Sequence, residues 1–94
     1  MAAYRIELTE DAKVDLAYYM VFERKIIVSD IRKQLTDQPD LETKNRKSLR
    51  EKPIGTWELR VGKYRVFYEL DRAARVANIV SIRSIIFSSF EGKR

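Results

Sequence analysis

Two residue types are missing from this 94-residue sequence, which contains neither cysteine nor histidine. Without cysteine the chain can form no disulfide bond and no thiolate nucleophile, which is typical of a reducing compartment. Without histidine it can form no Ser-His-Asp triad, no histidine-ligated metal site and no imidazole acid or base. These absences favour a protein that uses no metal and no other cofactor.

Long apolar runs and flexible linkers are absent as well. The longest apolar stretch, LAYYMVF at residues 16–22, is far shorter than the ~20 residues that a membrane-spanning helix needs. The N-terminal MAAYRIELTEDAK lacks the apolar core of a signal peptide. With three glycines, two prolines and no internal repeat, residues 1–94 are expected to form one domain. We therefore expect a cytoplasmic protein without a membrane partner.

Charge is divided unevenly between the two halves of the chain. Residues 1–43 carry six basic and nine acidic residues, whereas residues 44–94 carry thirteen basic and five acidic residues. The second half contains a basic run at residues 44–52, with the cations Lys44, Arg46, Lys47, Arg50 and Lys52. This asymmetry indicates a polyanionic partner for the second half. We interpret the run as a surface segment, either simply solvated or in non-specific contact with phosphates.

Residues 56–70, TWELRVGKYRVFYEL, have the pattern of a β-hairpin. Apolar and polar residues alternate on both sides of Gly62-Lys63, and a two-residue loop that begins with glycine suits a type II′ turn. This turn fixes the register, so Arg60 is predicted opposite Arg65 in a non-hydrogen-bonded pair. One face is then apolar, with Trp57, Leu59, Val61, Tyr64, Val66 and Tyr68. The other face carries Glu58, Arg60, Arg65, Phe67 and Glu69.

The remaining segments complete an α+β arrangement. Alternation predicts a first strand at residues 4–9 and a third sheet strand at residues 75–84, RVANIVSIRS. A helical region follows the N-cap Thr9, either as one helix over residues 10–35 or as two helices that break near residues 23–25. The fold class predicted is α+β, with an N-terminal strand, a helix or helical hairpin, then a three-stranded antiparallel meander.

The helical region and the C-terminal end both carry apolar residues that need partners. The helices show an apolar stripe at helical spacing, which includes Ala12, Leu16, Tyr19 and Met20 and is broadened by Val14, Tyr18 and Phe22. This stripe predicts that the helices cover the apolar face of the hairpin. The segment IIFSSF, residues 85–90, either packs on the sheet or forms a surface for a partner.

The predicted pair of arginines needs an explanation, because like charges directly opposite each other on a sheet repel. One explanation is a solvated face on which Glu58 and Glu69 neutralise the arginines. The other is an anion site, because two guanidinium groups on a rigid sheet offer bidentate donors to a phosphate. In the second case Phe67, on the same face, is placed to stack on a base.

The hairpin and the order of the elements resemble the RelE/ParE superfamily of bacterial type II toxin–antitoxin toxins, with the RelE-like branch favoured. The resemblance covers nearly the whole chain. Its most specific part is an arginine, a tight turn, Tyr-Arg and a valine-rich strand that ends in tyrosine, all within TWELRVGKYRVFYEL. It implies a small toxin that a cognate antitoxin neutralises. We expect the antitoxin to place apolar side chains on the sheet edge or on IIFSSF, and carboxylates on the basic run.

In the RelE branch the resemblance implies a ribosome-dependent mRNA interferase, which inhibits translation. Arg65 then falls on the arginine that acts on the scissile phosphate, and Arg60 on a recurrent basic position. Glu58 is either the base for the 2′-hydroxyl or only a counter-ion. The candidate RNA contacts are Lys44, Arg46, Lys47, Arg50, Lys52 and Arg83. The catalytic set is reduced, because Ile85, Ile86 and Phe90 stand where such toxins usually carry charged residues and a tyrosine.

The alternative is the ParE branch, whose members inhibit DNA gyrase through protein contact and lack nuclease residues. This alternative includes a degenerate toxin that acts only through protein binding. The reduced catalytic set favours this reading, whereas the basic run and the arginine pair favour the interferase.

Overall fold

The N-terminal strand lies beside the last strand of a five-stranded sheet. The computed structural model describes residues 3–49 and 56–84. Its elements are β1 (Arg5–Leu8), α1 (Glu10–Tyr18), α2 (Val21–Leu35), β2 (Arg46–Ser48), β3 (Trp57–Val61), β4 (Tyr64–Asp71) and β5 (Val76–Ser84). The sheet order is β1-β5-β4-β3-β2, with β1 parallel to β5 and the other neighbours antiparallel. This arrangement confirms the predicted α+β class and the three-stranded meander.

The hairpin of β3 and β4 has the predicted register. Arg60 pairs with Arg65, and Val61 pairs with Tyr64 across Gly62-Lys63. Gly62 has a φ of +57°, the left-handed conformation that the first position of a type II′ turn requires. The Arg60 backbone N–H points away from β4 and donates to the Asn45 carbonyl at 2.8 Å. The arginine pair is therefore not hydrogen-bonded through the backbone, as predicted.

The helical region consists of two helices, and the division lies at Tyr19–Met20 rather than near residues 23–25. The predicted N-cap is confirmed, because the Thr9 hydroxyl accepts a hydrogen bond from the Ala12 N–H at 3.1 Å. At the break, the Met20 N–H donates to Glu23 Oε1 at 3.0 Å, and Arg24 Nε donates to the Tyr19 carbonyl at 2.9 Å. These two side chains satisfy backbone groups that a helix end leaves free, so the chain turns here without glycine or proline.

The core lies between the two helices and one face of the sheet. The apolar hairpin face is buried, with Trp57, Leu59, Val61, Tyr64, Val66 and Tyr68 each at most 7% exposed. Ile27, Ile31 and Leu35 of α2, at four-residue spacing, are buried in the same cluster. Each such side chain contributes about 1.5–3 kcal/mol when it is fully buried. The prediction that the helices cover this face is confirmed.

Part of the predicted helical stripe lies outside the core. Val14, Tyr18, Met20 and Phe22 are 62–70% exposed, so the prediction that they belong to the buried stripe is wrong. Val14 and Tyr18 each lie two residues after the inward-facing Ala12 and Leu16, which places them on the outer face of α1. Phe22 turns outward because α2 restarts after the break with Ile27, Ile31 and Leu35 inward. The exposed large apolar residues of the two helices form what we call the corner patch: Val14, Tyr18, Met20, Val21, Phe22 and Ile26. Neither described helix is both long and apolar enough to span a bilayer.

The first part of the basic run forms an edge strand, β2, where the sequence pattern predicted only a surface segment. Arg46 of β2 pairs with Leu59 of β3 and therefore lies on the core side of the sheet, 7% exposed. Its Nη1 donates to the carbonyls of Gln34 (2.5 Å) and Gln38 (3.1 Å) at the end of α2. Arg46 thus satisfies the Gln34 carbonyl at the end of the helix, and it shares the Gln38 carbonyl with the Leu41 N–H.

A β-bulge in β5 fixes the position of the last strand. The partners of β4 shift from Phe67–Ser81 to Tyr68–Ile79, so Val80 is an additional residue in β5. Near the bulge, the Ile82 N–H donates to Asp15 Oδ2 of α1 at 3.0 Å. The bulge resolves the register that the sequence left open, and it places Arg83 opposite Arg65.

Candidate anion-binding face

Three arginines form a row across the sheet face that points away from the helices. Arg60 of β3 pairs with Arg65 of β4, and Arg65 pairs with Arg83 of β5. Because neighbouring strands lie about 4.8 Å apart, the Cα atoms of the three arginines lie within roughly 10 Å across the sheet. The Arg60 and Arg65 side chains are 48% and 42% exposed, and Arg83 is also exposed. We call this the arginine row.

Glu58 is the counter-ion of the arginine row. Its carboxylate oxygen Oε2 lies 3.3 Å from Arg65 Nε and 4.0 Å from Arg60 Nε, and its side chain is only 10% exposed. Within the described residues, Glu58 Oε2 and Arg65 Nε are buried without a hydrogen-bond partner, so their contact is electrostatic rather than a well-aligned hydrogen bond. One carboxylate therefore faces two guanidinium groups, and the row keeps a net positive charge.

A second row beside the arginine row mixes charge with an aromatic ring. Lys47 pairs with Glu58, Glu58 pairs with Phe67, and Phe67 pairs with Ser81. Lys47 is exposed, and Phe67 is partly exposed on the same face as Arg65. A cation, a carboxylate and an aromatic ring therefore form a second row on the same face, two residues along the strands from the arginine row.

The structure places the other predicted RNA contacts differently. Lys44 and Lys47 are exposed and flank Arg46. Arg46 points to the core side and binds carbonyls of the chain itself, so its position does not fit a contact with nucleic acid. Arg50 and Lys52 lie outside the described residues. The same holds for Ile85, Ile86 and Phe90, and for the IIFSSF segment as a whole.

The arrangement is suited to binding an anion and stabilising negative charge. Guanidinium groups held side by side on a sheet donate paired hydrogen bonds to phosphate or carboxylate oxygens. An anion bound there would also relieve the repulsion between neighbouring arginines. The sequence analysis found two members of the row, and it identified Arg83 only as a general RNA contact. Arg83 lies opposite Arg65 because of the bulge, and no residue type in this strand predicts a bulge at that position.

Solved structures with a similar fold are toxins, alone or in complex. The chain superimposes on the Mycobacterium tuberculosis toxin–antitoxin complex RelBE2 with a TM-score of 0.75, at 23% identity over 88% of this chain and 99% of the other. For the archaeal RelE–RelB complex from Pyrococcus horikoshii the TM-score is 0.70, at 19% identity over 87% and 94%. For the free E. coli toxin RelE, carrying two arginine-to-alanine substitutions, it is 0.69, at 21% identity over 96% and 92%.

The sequence comparison reaches the same group of proteins. No individual curated protein has a significantly similar sequence. The sequence model of the ParE toxin family, described as the ParE toxin of the type II toxin–antitoxin system parDE, matches residues 6–84. The matched range contains both helices, the hairpin and all three members of the arginine row. Because this match covers most of the chain, the protein belongs to the ParE toxin family within the RelE/ParE superfamily and is a toxin of a type II toxin–antitoxin system.

Proposed function

We propose that this toxin binds an RNA phosphate on the arginine row and cleaves mRNA on the ribosome. The observation that carries the proposal is the set of three arginines, Arg60, Arg65 and Arg83, directly opposite one another on three strands. The position in the centre belongs to Arg65, which has a guanidinium neighbour on each side. We assign Arg65 to the scissile phosphate and the outer two arginines to its flanks.

The proposed chemistry is attack by the 2′-hydroxyl of the RNA. The 2′-oxygen gives its proton to a solvent water and bonds to phosphorus, and the bond from phosphorus to the 5′-oxygen breaks as that oxygen takes up a proton from water. Negative charge builds up on the phosphoryl oxygens in the transition state, and pre-positioned guanidinium groups stabilise it. Glu58 is proposed to hold Arg65 and Arg60 in place as their counter-ion, because its carboxylate is buried against both. The rest of the rate would come from the orientation of the bound mRNA.

A cognate antitoxin is proposed as the natural partner. The toxin family is one of paired systems, and two of the similar solved structures are complexes of a toxin with its antitoxin. Carboxylates of such a partner would match the arginine row and the exposed Lys44 and Lys47. Binding there would block the site at which we place the RNA.

The second candidate is inhibition of DNA gyrase by protein contact. The match to the ParE family model favours it. So does the engagement of Glu58 with two arginines, because it leaves no free carboxylate beside Arg65 to act as a base among the residues that the structure describes. In this case the arginine row would bind acidic side chains of the target rather than a phosphate.

Expression of the toxin and two variants would separate these functions. After induction of the wild type, primer extension on cellular mRNA should show new cleavage sites, and Arg65→Ala should reduce cleavage by about 100-fold or more while the fold is retained. Arg72→Ala is the matched control, because Arg72 is an exposed arginine outside the row that pairs with Asp40. Growth arrest without cleavage, together with altered plasmid supercoiling, would refute mRNA cleavage and support inhibition of gyrase. If neither cleavage nor arrest occurred, the proposal of a toxic activity for this chain would be refuted.

A further inference from the structure

The corner patch is the largest apolar surface that the described helices leave open. Its six side chains are 52–70% exposed, and they follow one another around the turn between α1 and α2. Val14 and Tyr18 are four residues apart on α1, and Phe22 and Ile26 are four residues apart on α2, so each pair lies on one face of its helix. Monomeric proteins rarely leave such a contiguous apolar patch open unless a partner covers it.

The two helices that carry the corner patch have opposite charges. Helix α1, EDAKVDLAY, has three carboxylates and one lysine, for a net charge of −2. Helix α2, VFERKIIVSDIRKQL, has four basic and two acidic residues, for a net charge of +2. Asp11 is exposed three residues before Val14, and Lys33 is exposed seven residues after Ile26, so each charge shares a helix face with its apolar pair.

We propose that the corner patch is a docking site for a second copy of this chain, with α1 of one copy against α2 of the other. A uniformly acidic partner would attract α2 but repel α1, and a uniformly basic partner would do the reverse. A second copy related by a two-fold axis presents both signs in the required places and buries the apolar residues of α1 against those of α2 twice. The charge pattern therefore favours self-association over any partner of one sign.

The size of the patch sets the expected strength of the dimer. With 52–70% of six large side chains exposed, each copy contributes on the order of 600 Å² of apolar surface. The total of roughly 1,200 Å² is at the lower limit for specific protein interfaces, so a dissociation constant in the micromolar range is expected. Arg60 and Arg65 lie on the opposite face of the sheet and stay accessible in both copies, whereas Arg83 borders a cleft that Val14 and Tyr18 also line. The inference therefore does not depend on the proposed activity.

Sedimentation velocity tests the dimer directly. The full chain, made by chemical synthesis so that no translating system is exposed to it, is measured from about 1 to about 200 µM. The wild type should convert from monomer to dimer in this range, and Phe22→Ser should raise the dissociation constant at least 10-fold. Leu41→Ser is the matched control, because Leu41 is also exposed, at 52% against 62% for Phe22, but lies outside the helices. A wild type that stays monomeric throughout, or one that dimerises unchanged with Phe22→Ser, overturns the proposal.

A charge swap tests the contact of α1 with α2. Asp11→Lys and Lys33→Asp should each weaken the dimer several-fold, and the double variant should restore it because the two signs are exchanged together. Circular dichroism establishes that each variant is folded. Raising the salt concentration from about 50 to about 500 mM should weaken the wild-type dimer. A double variant no tighter than the weaker single variant would refute the proposed pairing of the helices.

Discussion

Arg83 of β5 lies directly opposite Arg65 of β4, three residues after the β-bulge at Val80. The pair extends the Arg60–Arg65 contact into a continuous row, in which the only described counter-ion in contact is the Glu58 carboxylate. The neighbouring guanidinium groups repel each other in the free protein, and a bound anion would reduce this repulsion.

The contribution of Arg83 can be measured through the salt dependence of RNA binding. If Arg83 contacts a phosphate, Arg83→Ala should reduce the slope of log affinity against log salt by about 0.7 for single-stranded RNA. Fluorescence anisotropy with a labelled oligoribonucleotide at several salt concentrations gives this slope. Arg72→Ala should leave it unchanged, and an unchanged slope in Arg83→Ala would remove Arg83 from the RNA site.

Replacing Glu58 by glutamine distinguishes a counter-ion from a base. Glu58→Gln keeps the shape of the side chain but leaves the arginines unneutralised, so the free energy of unfolding should fall by about 1 kcal/mol. Cleavage should change little, because the arginines that face the phosphate remain. Urea unfolding and primer extension measure the two effects, with Glu69→Gln as the control. A loss of cleavage of about 100-fold in a folded Glu58→Gln protein would identify Glu58 as the base.

Tyr64 and Glu23 couple the hairpin turn to the start of α2, and the coupling depends on pH. The hydrogen bond from the Tyr64 hydroxyl, together with that from the Met20 N–H, holds the pKa of Glu23 below its ordinary value of 4.5. Because the folded pKa is lowered, this stabilisation is present above pH 4.5 and is lost as the pH falls further. Tyr64→Phe should therefore flatten the decline in stability below that pH, as measured by urea unfolding.

At alkaline pH the same pair makes stability fall as the pH rises, whereas at acidic pH it makes stability fall as the pH falls. Burial, assisted by the Glu23 carboxylate, raises the pKa of Tyr64 to about 12. The unfolded tyrosine ionises near its ordinary value of 10.0, so stability should fall as the pH rises from 10 towards 12. Tyr4→Phe is the control for both limbs. Identical pH profiles for the wild type and Tyr64→Phe would contradict the coupling.

Arg46 is expected to contribute to stability rather than to nucleic-acid binding. Arg46→Ala removes the buried donor of the Gln34 carbonyl and one of the two donors of the Gln38 carbonyl, and should lower the free energy of unfolding by about 2–3 kcal/mol. Lys44→Ala, at an exposed position two residues earlier, should leave stability nearly unchanged. Urea unfolding of both variants checks the contrast. Equal stabilities would mean that the buried contacts of Arg46 are not needed.

Local chemistry explains which parts of this fold the sequence predicts. The hairpin register follows from Gly62, which alone sets the turn, and from alternation within a few residues on either side. The N-cap at Thr9 is equally local. The break at Tyr19–Met20 is different, because it depends on how Glu23 and Arg24 satisfy backbone groups, and neither residue type is a helix breaker.

The misplaced residues share one cause, which is that burial depends on distant partners. Arg46 has the sequence context of a solvated cation, but the end of α2 supplies carbonyls that make its burial favourable. Phe22 has the sequence context of a core residue, but the restart of α2 turns it outward. Arg83 joins Arg65 only because Val80 is an additional residue in the strand. Each outcome requires the tertiary structure.

The parallel pairing of the first and last described strands has a consequence for synthesis of the toxin. Arg5 in β1 pairs with Val76 in β5. The edge strand β1 and its neighbour therefore come from opposite ends of the described chain. Contacts of such long sequence separation form late in folding. The last strand also supplies Arg83, so a nascent chain still lacking that strand has only part of the arginine row. We therefore expect the complete anion-binding face to appear only once β5 has emerged from the ribosome that is translating it.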